Sequence, residues 1–163
     1  MKLALLIIDM QKLFIDPGRS RMDVERACEH INHVAGLLRR GGHTVVHVRD
    51  VEEAEAGEER LGFIPEVRVE PSDLHVEKVY SNAFWQTGLE ALLREAGADL
   101  VIVSGYAAQH CVLATYNGAA ERGFKPVMLQ RGILSEYEDA IAASYRDRNF
   151  ISYPVVETMV SAR

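Results

Sequence analysis

Residues 100–112 read Leu100-Val101-Ile102-Val103-Ser104-Gly105-Tyr106-Ala107-Ala108-Gln109-His110-Cys111-Val112. A β-branched apolar run ends at a single glycine, and a cysteine opens the amphipathic stretch that follows, which is the pattern of a buried strand feeding a helix. The first N–H groups of a helix lack intrahelical partners and carry its positive dipole end, so a thiol placed there is favoured as thiolate. A thiolate can attack a carbonyl, and backbone N–H groups beside it can hold the resulting oxyanion. The segment therefore predicts one β-α unit of a parallel sheet with a candidate nucleophile at its junction.

Outward from this unit the same alternation recurs. Leu3–Ile8 reads as a buried strand. Val24, Ala27, Cys28, Ile31, Val34, Ala35 and Leu38 keep helical spacing up to Gly41-Gly42, and Thr44–Val48 reads as the next strand. Residues 51–73, with the acidic run from Glu52 to Glu59 and then Pro65 and Pro71, break the pattern and read as a long surface excursion over a site. Further strands are expected at Leu74–Val76, Asp99–Ser104, Pro126–Leu129 and Ile151–Tyr153, and helices at Gln86–Ala96, Cys111–Arg122 and Glu138–Arg146. Strands joined by helical crossovers imply a parallel sheet covered on both faces. The expectation is one doubly wound, Rossmann-like α/β domain over residues 1–163, with about six strands.

Composition bounds the function. The 163 residues suffice for one well-buried core, and 48% hydrophobic with 26% charged residues is the balance of a globular chain. The net charge of −6 and the lack of a Lys/Arg cluster argue against nucleic acid or an anionic membrane as partner. The first apolar run stops at Asp9, too short for a membrane span or a signal peptide. Two cysteines, Cys28 and Cys111, form neither a close pair nor a zinc pattern, which fits a reducing cytoplasm.

In doubly wound sheets chemistry gathers beyond the carboxyl ends of the strands, near the reversal of strand order. Asp9, Lys78 and Cys111 each follow a predicted strand, and their convergence is the central expectation. At these residues the chain resembles the isochorismatase-like cysteine hydrolases, a superfamily that includes nicotinamidases and N-carbamoyl amide hydrolases. The resemblance spans nearly the whole chain. It rests on Leu6-Ile7-Ile8-Asp9-Met10-Gln11-x-x-Phe14, on Lys78 with Ser81-x-Ala83-Phe84, and on Gly105 followed by Gln109-His110-Cys111-Val112-x-x-Thr115. It implies Cys111 as nucleophile, Asp9 as general base and acid, and Lys78 as electrostatic partner. It also implies a cis peptide at Tyr106-Ala107, an oxyanion hole from the backbone N–H groups of Ala107 and Cys111, a small-molecule amide or carbamoyl substrate, no cofactor, and a homo-oligomer. The chain departs from the pattern twice: Ala108 stands where many relatives carry threonine, and Asp50-Val51-Glu52 lacks the histidine of the metal-binding nicotinamidases. No metal is expected.

Each candidate also has a plainer role. Cys111 could be a core thiol, Asp9 a helix cap and Lys78 a solvated side chain. Cys28, on the apolar face of its helix, is read as packing. His110 follows its neighbour by about 100° around a helix, so it is read as structural or pocket-lining instead of as a partner of the Cys111 thiol. His43 and His47 lie roughly 13 Å apart along a strand, too far for one metal. His30 and His33 can meet on a helix, where a solvated face is the reading. Phe14, Phe84, Trp85 and Tyr106 are core or pocket residues, with Phe14, Phe84 and Tyr106 assigned to the pocket.

Rival functions remain open. Vinyl ether hydrolysis, the chemistry in the superfamily's name, does not need the cysteine. A catalytically inactive binding module of the same fold is a third reading. A signalling receiver lacks its acidic pair here, and a nucleotide-binding domain lacks both G-x-G-x-x-G and G-x-x-x-x-G-K-[ST].

Overall fold

The computed structural model describes residues 1–162. The chain runs β1 (Leu3–Ile8), α1 (Lys12–Ile15), α2 (Val24–Arg40), β2 (Thr44–Asp50), α3 (Glu58–Leu61), β3 (Leu74–Lys78), α4 (Leu89–Glu95), β4 (Leu100–Tyr106), α5 (Cys111–Glu121), β5 (Lys125–Leu134), α6 (Glu138–Asp147), β6 (Phe150–Ile151) and α7 (Tyr153–Ser161). All six strands are parallel, in the order β3-β2-β1-β4-β5-β6. The predicted doubly wound architecture is the observed one.

The apolar run of β1 is explained by its central position. Alternate side chains point to opposite faces of a strand. Leu3, Leu5 and Ile7 join the core formed with α2 and with Val156 of α7, while Ala4, Leu6 and Ile8 join the one formed with α4 and α5. All six are buried. Strand order reverses between β1 and β4, and this opens the crevice at their carboxyl ends. Gly105 brings the two strands close there, with φ of 107° and a position where a Cβ would run into the Ile8 backbone.

Three expectations need correction. The last strand is Phe150–Ile151, and the chain then forms α7, whose Pro154 occupies the first turn, where a missing N–H costs no hydrogen bond. Tyr153 sets α7 against α2, its ring edge-on to His30 and His33 at 6.0 and 5.1 Å. The strand expected at Pro126–Leu129 runs on to Leu134 through a register shift opposite Val103–Gly105. Segment 51–73 runs over the surface, but it is anchored along its length instead of arching over the site. Leu61, Ile64 and Val67 are buried, and backbone hydrogen bonds from Lys12 to Gly62 and from Ile64 to Met10 hold it to the β1–α1 connection. Among the described residues no helix is long and apolar enough to cross a membrane.

Candidate active site

Four strand ends supply the site. Asp9 follows β1 with φ of 50°, a left-handed turn that lifts the chain off the sheet, and its N–H still donates to Val48 O at 3.0 Å. Asp50 ends β2 and pairs in register with Lys78, the last residue of β3. The connection after β4 passes through a cis Tyr106-Ala107 peptide, and Cys111 is the first residue of α5.

These side chains converge on the Lys78 ammonium. Its Nζ lies 2.7 Å from Asp50 Oδ2, 3.0 Å from Asp9 Oδ2 and 3.4 Å from Cys111 Sγ, and the Lys78 side chain is fully buried. The lysine starts two strands away from β1, about 10 Å at ordinary strand spacing, so only a long side chain crossing the end of β2 reaches Asp9. Burial without these partners would be prohibitive for an ammonium. Burial works against its charge, but the Asp9 charge, with Cys111 and Asp50, outweighs it and raises the Lys78 pKa.

The other two groups move toward their neutral forms. Burial pushes the Asp9 carboxyl up to about 6, against the opposing pull of Lys78. Burial, reinforced by the Asp9 charge, pushes the Cys111 thiol up to about 12, and Lys78 offsets only part of this. The helix-start argument favoured a thiolate; the buried surroundings and the neighbouring carboxylate reverse it, so the resting sulfur is protonated. The Asp9 carboxyl also hydrogen-bonds the Cys111 thiol, and its buried Oδ1 meets no donor nitrogen or oxygen among the described residues.

Gln11 and Asp50 are the site residues that motif reading left without a role. Gln11 Nε2 donates to Asp50 O at 2.9 Å and to Leu61 O at 2.9 Å, and Gln11 Oε1 accepts from Asp50 N at 2.8 Å. A buried amide thereby extends the β1–β2 ladder past its last residues and fixes Asp50. The remaining motif residues lock the next layer: Thr115 Oγ1 of α5 accepts from Ala83 N at 3.1 Å, tying the segment after Lys78 to the cysteine helix.

A cavity of about 480 Å³ opens over this cluster. Phe14 and Tyr106 form one wall, with ring centroids 6.5 Å apart, and Val79, Tyr80 and Ser81 form another. Of the turn residues that line it, His110 donates its N–H to Ala107 O at 3.0 Å, while the N–H groups of Ala107 and Cys111 meet no protein acceptor among the described residues. Phe84 does not line the cavity, contrary to the pocket assignment. It is buried in the α4–α5 core, stacked on Phe124 at 5.9 Å. Trp85 is half exposed and is neither core nor cavity wall. Of segment 51–73 only Glu52 reaches the cavity.

Oxygen and sulfur atoms of Asp9, Asp50 and Cys111 lie within 4.8 Å of one another, a spacing a metal ion could bridge. The Lys78 ammonium contacts all three residues, so it takes up their facing atoms and its charge repels a second cation from that centre.

Comparison with known proteins identifies the family of the chain. The model of the isochorismatase domain matches residues 3–156. The chain belongs to the isochorismatase family. Isochorismatase-family relatives include the uncharacterised protein YrdC of Bacillus subtilis (strain 168), 30% identical over 158 residues, covering 93% of this chain and 80% of that protein. Maleamate amidohydrolase of Pseudomonas putida KT2440 is 25% identical over 170 residues, covering 90% of this chain and 78% of that protein. The crystal structure of N-carbamoylsarcosine amidase from Thermoplasma acidophilum shares the fold with a TM-score of 0.77 at 24% identity, covering 93% of this chain and 95% of that one. The protein is thus an isochorismatase-family hydrolase whose relatives include amidohydrolases.

Proposed function

We propose that this hydrolase cleaves the C–N bond of a small amide or carbamoyl compound through a thioester on Cys111. The observation that carries the reading is the contact of one buried ammonium, Lys78, with Asp9, Asp50 and the Cys111 sulfur at the floor of a single cavity.

The proton inventory supports this order of events. At neutral pH Asp9, titrating near 6, is largely a carboxylate and Cys111 is a thiol. Asp9 takes the Cys111 proton as the sulfur bonds to the carbonyl carbon, and the carbonyl π electrons move to oxygen. The free N–H groups of Ala107 and Cys111 donate to that oxyanion, each worth roughly 3 kcal/mol in the barrier. The oxyanion then reforms the carbonyl and expels the nitrogen, which leaves as the amine with the proton from Asp9. Water attacks the thioester and gives Asp9 a proton. Collapse releases the acid, and Asp9 returns that proton to the sulfur. Lys78 stays charged throughout and limits the cost of the sulfur's negative charge.

Vinyl ether hydrolysis is the weaker reading because that chemistry gives Cys111 no role. The test is ammonia release from a panel of small primary amides by the wild type, Cys111→Ala and Asp9→Asn. The reading predicts turnover by the wild type only. Undiminished turnover in Cys111→Ala contradicts it.

A further inference from the structure

The charges around the cavity restrict what enters it. Three carboxylates line it, from Asp9, Asp50 and Glu52. The one cation at its floor, Lys78, is already shared between Asp9 and Asp50. Among the described residues no arginine lines the cavity. Arg49 pairs with Glu58 and Glu77, and Arg21 with Glu136. Three lining carboxylates outnumber the basic groups at the cavity, Lys78 beneath it and His110 in its lining, so a substrate carboxylate would meet an excess of negative charge, an arrangement that disfavours binding.

Two observations point to a complementary ligand. Asp9, whose buried Oδ1 meets no donor nitrogen or oxygen among the described residues, lines the cavity together with Cys111. Glu52, an exposed residue of the lining, carries a carboxylate with no ion-pair or hydrogen-bond partner among the described residues, while its backbone N–H is held by Asp50 Oδ1 at 2.9 Å. That bond ties the position of Glu52 to the same residue that holds Lys78. Phe14, Tyr106 and Tyr80 also line the cavity, and aromatic rings attract a cation over their faces.

We infer that the cavity selects small amides bearing an ammonium group at the end remote from the scissile carbonyl, with Glu52 as the residue that sets this preference. The inference takes its substrate reaction from the hydrolase reading, but its binding order depends on the cavity alone. The amide end sits on the Asp9–Cys111 floor, and the ammonium lies along the aromatic wall toward the Glu52 carboxylate.

Three ligands of similar length separate the charges: 5-aminopentanamide, hexanamide and glutaramate. Calorimetric titration of Cys111→Ala measures binding without turnover, and ammonia release by the wild type measures turnover. The expected binding order is 5-aminopentanamide, then hexanamide, then glutaramate, with at least about tenfold between the first and last. Glu52→Gln should shrink the advantage of 5-aminopentanamide over hexanamide about three- to fivefold, the size of an exposed ion pair, and Glu52→Lys should favour glutaramate. Equal binding of all three, tighter binding of glutaramate by the Glu52 protein, no binding of any at millimolar concentration, or an unchanged ratio in Glu52→Gln overturns the inference. If the binding order appears and the wild type hydrolyses none of a wide amide panel, the hydrolase reading falls while the charge preference stands.

Discussion

Lys78 Nζ lies 3.4 Å from Cys111 Sγ, and its side chain is wholly buried between the carboxylates of Asp9 and Asp50. A buried ammonium stabilises nearby negative charge strongly because little water screens it. The resting charge it serves is carboxylate, and the sulfur acquires charge only when Asp9 takes the proton. The site is therefore built as a base next to a thiol, with a fixed cation under both.

Cys111→Ala and Asp9→Asn should each lower turnover by at least about a thousandfold, the usual loss when one member of a concerted group is removed. Both should keep the far-ultraviolet circular dichroism of the wild type, since Lys78 retains Asp50 as a partner at 2.7 Å.

The Asp9 carboxyl, raised to about 6 by burial, sets the acid limb of activity. The carboxylate is the active form, so kcat/KM should fall about tenfold per pH unit below that value. Stability moves the other way. A carboxyl whose folded pKa exceeds its ordinary value of 3.8 binds protons more readily when folded, so its contribution to stability rises as pH falls from about 6 to 3.8. Activity should be lost over this window in a protein that remains folded, as paired rate and thermal-melt profiles can check.

Iodoacetamide should alkylate Cys111 slowly at neutral pH, with the rate still climbing above pH 9, because the thiol is pushed up to about 12. A Cys28→Ala background isolates the signal. A fast reaction with a plateau below pH 7 would show instead that the resting sulfur is a thiolate.

Gln11→Leu should cost about 1–3 kcal/mol in urea unfolding, because it strands the Asp50 N–H and the Asp50 and Leu61 carbonyls that Gln11 satisfies. Turnover should fall as well, since Asp50 loses its fixed position beneath Lys78.

Gly105→Ala should be more damaging, by about 2–4 kcal/mol, because φ of 107° and the Ile8 backbone both exclude a Cβ there. The loss should appear in thermal melts and in turnover together, since β1 and β4 carry opposite sides of the site.

Much of this molecule was legible from local pattern. The unbroken apolar run of β1 is what a strand buried on both faces requires, and the junction at Gly105–Cys111 announces a strand feeding a helix. Asp9, Lys78 and Cys111 could be placed at strand ends before any coordinate. The partners of Lys78 were harder to see. Asp50 enters the site through its register with Lys78 and its hold on Gln11, contacts that no local spacing encodes. Phe14 and Phe84 are the same residue type close to motif positions, yet one faces the cavity and the other Phe124, because tertiary direction decides it. The strand expected at Ile151–Tyr153 stops at Ile151, because Tyr153 and Pro154 open α7. The thiol's protonation likewise depends on burial beside Asp9, which a helix-start argument does not contain.

The most direct measurement is acid-quench mass spectrometry during turnover of 5-aminopentanamide and hexanamide by Cys28→Ala and by Cys28→Ala/Cys111→Ala. The account predicts an acyl adduct mapped to the Cys111 peptide, formed with ammonia release and absent from the double variant. Ammonia release that continues in the double variant would contradict it.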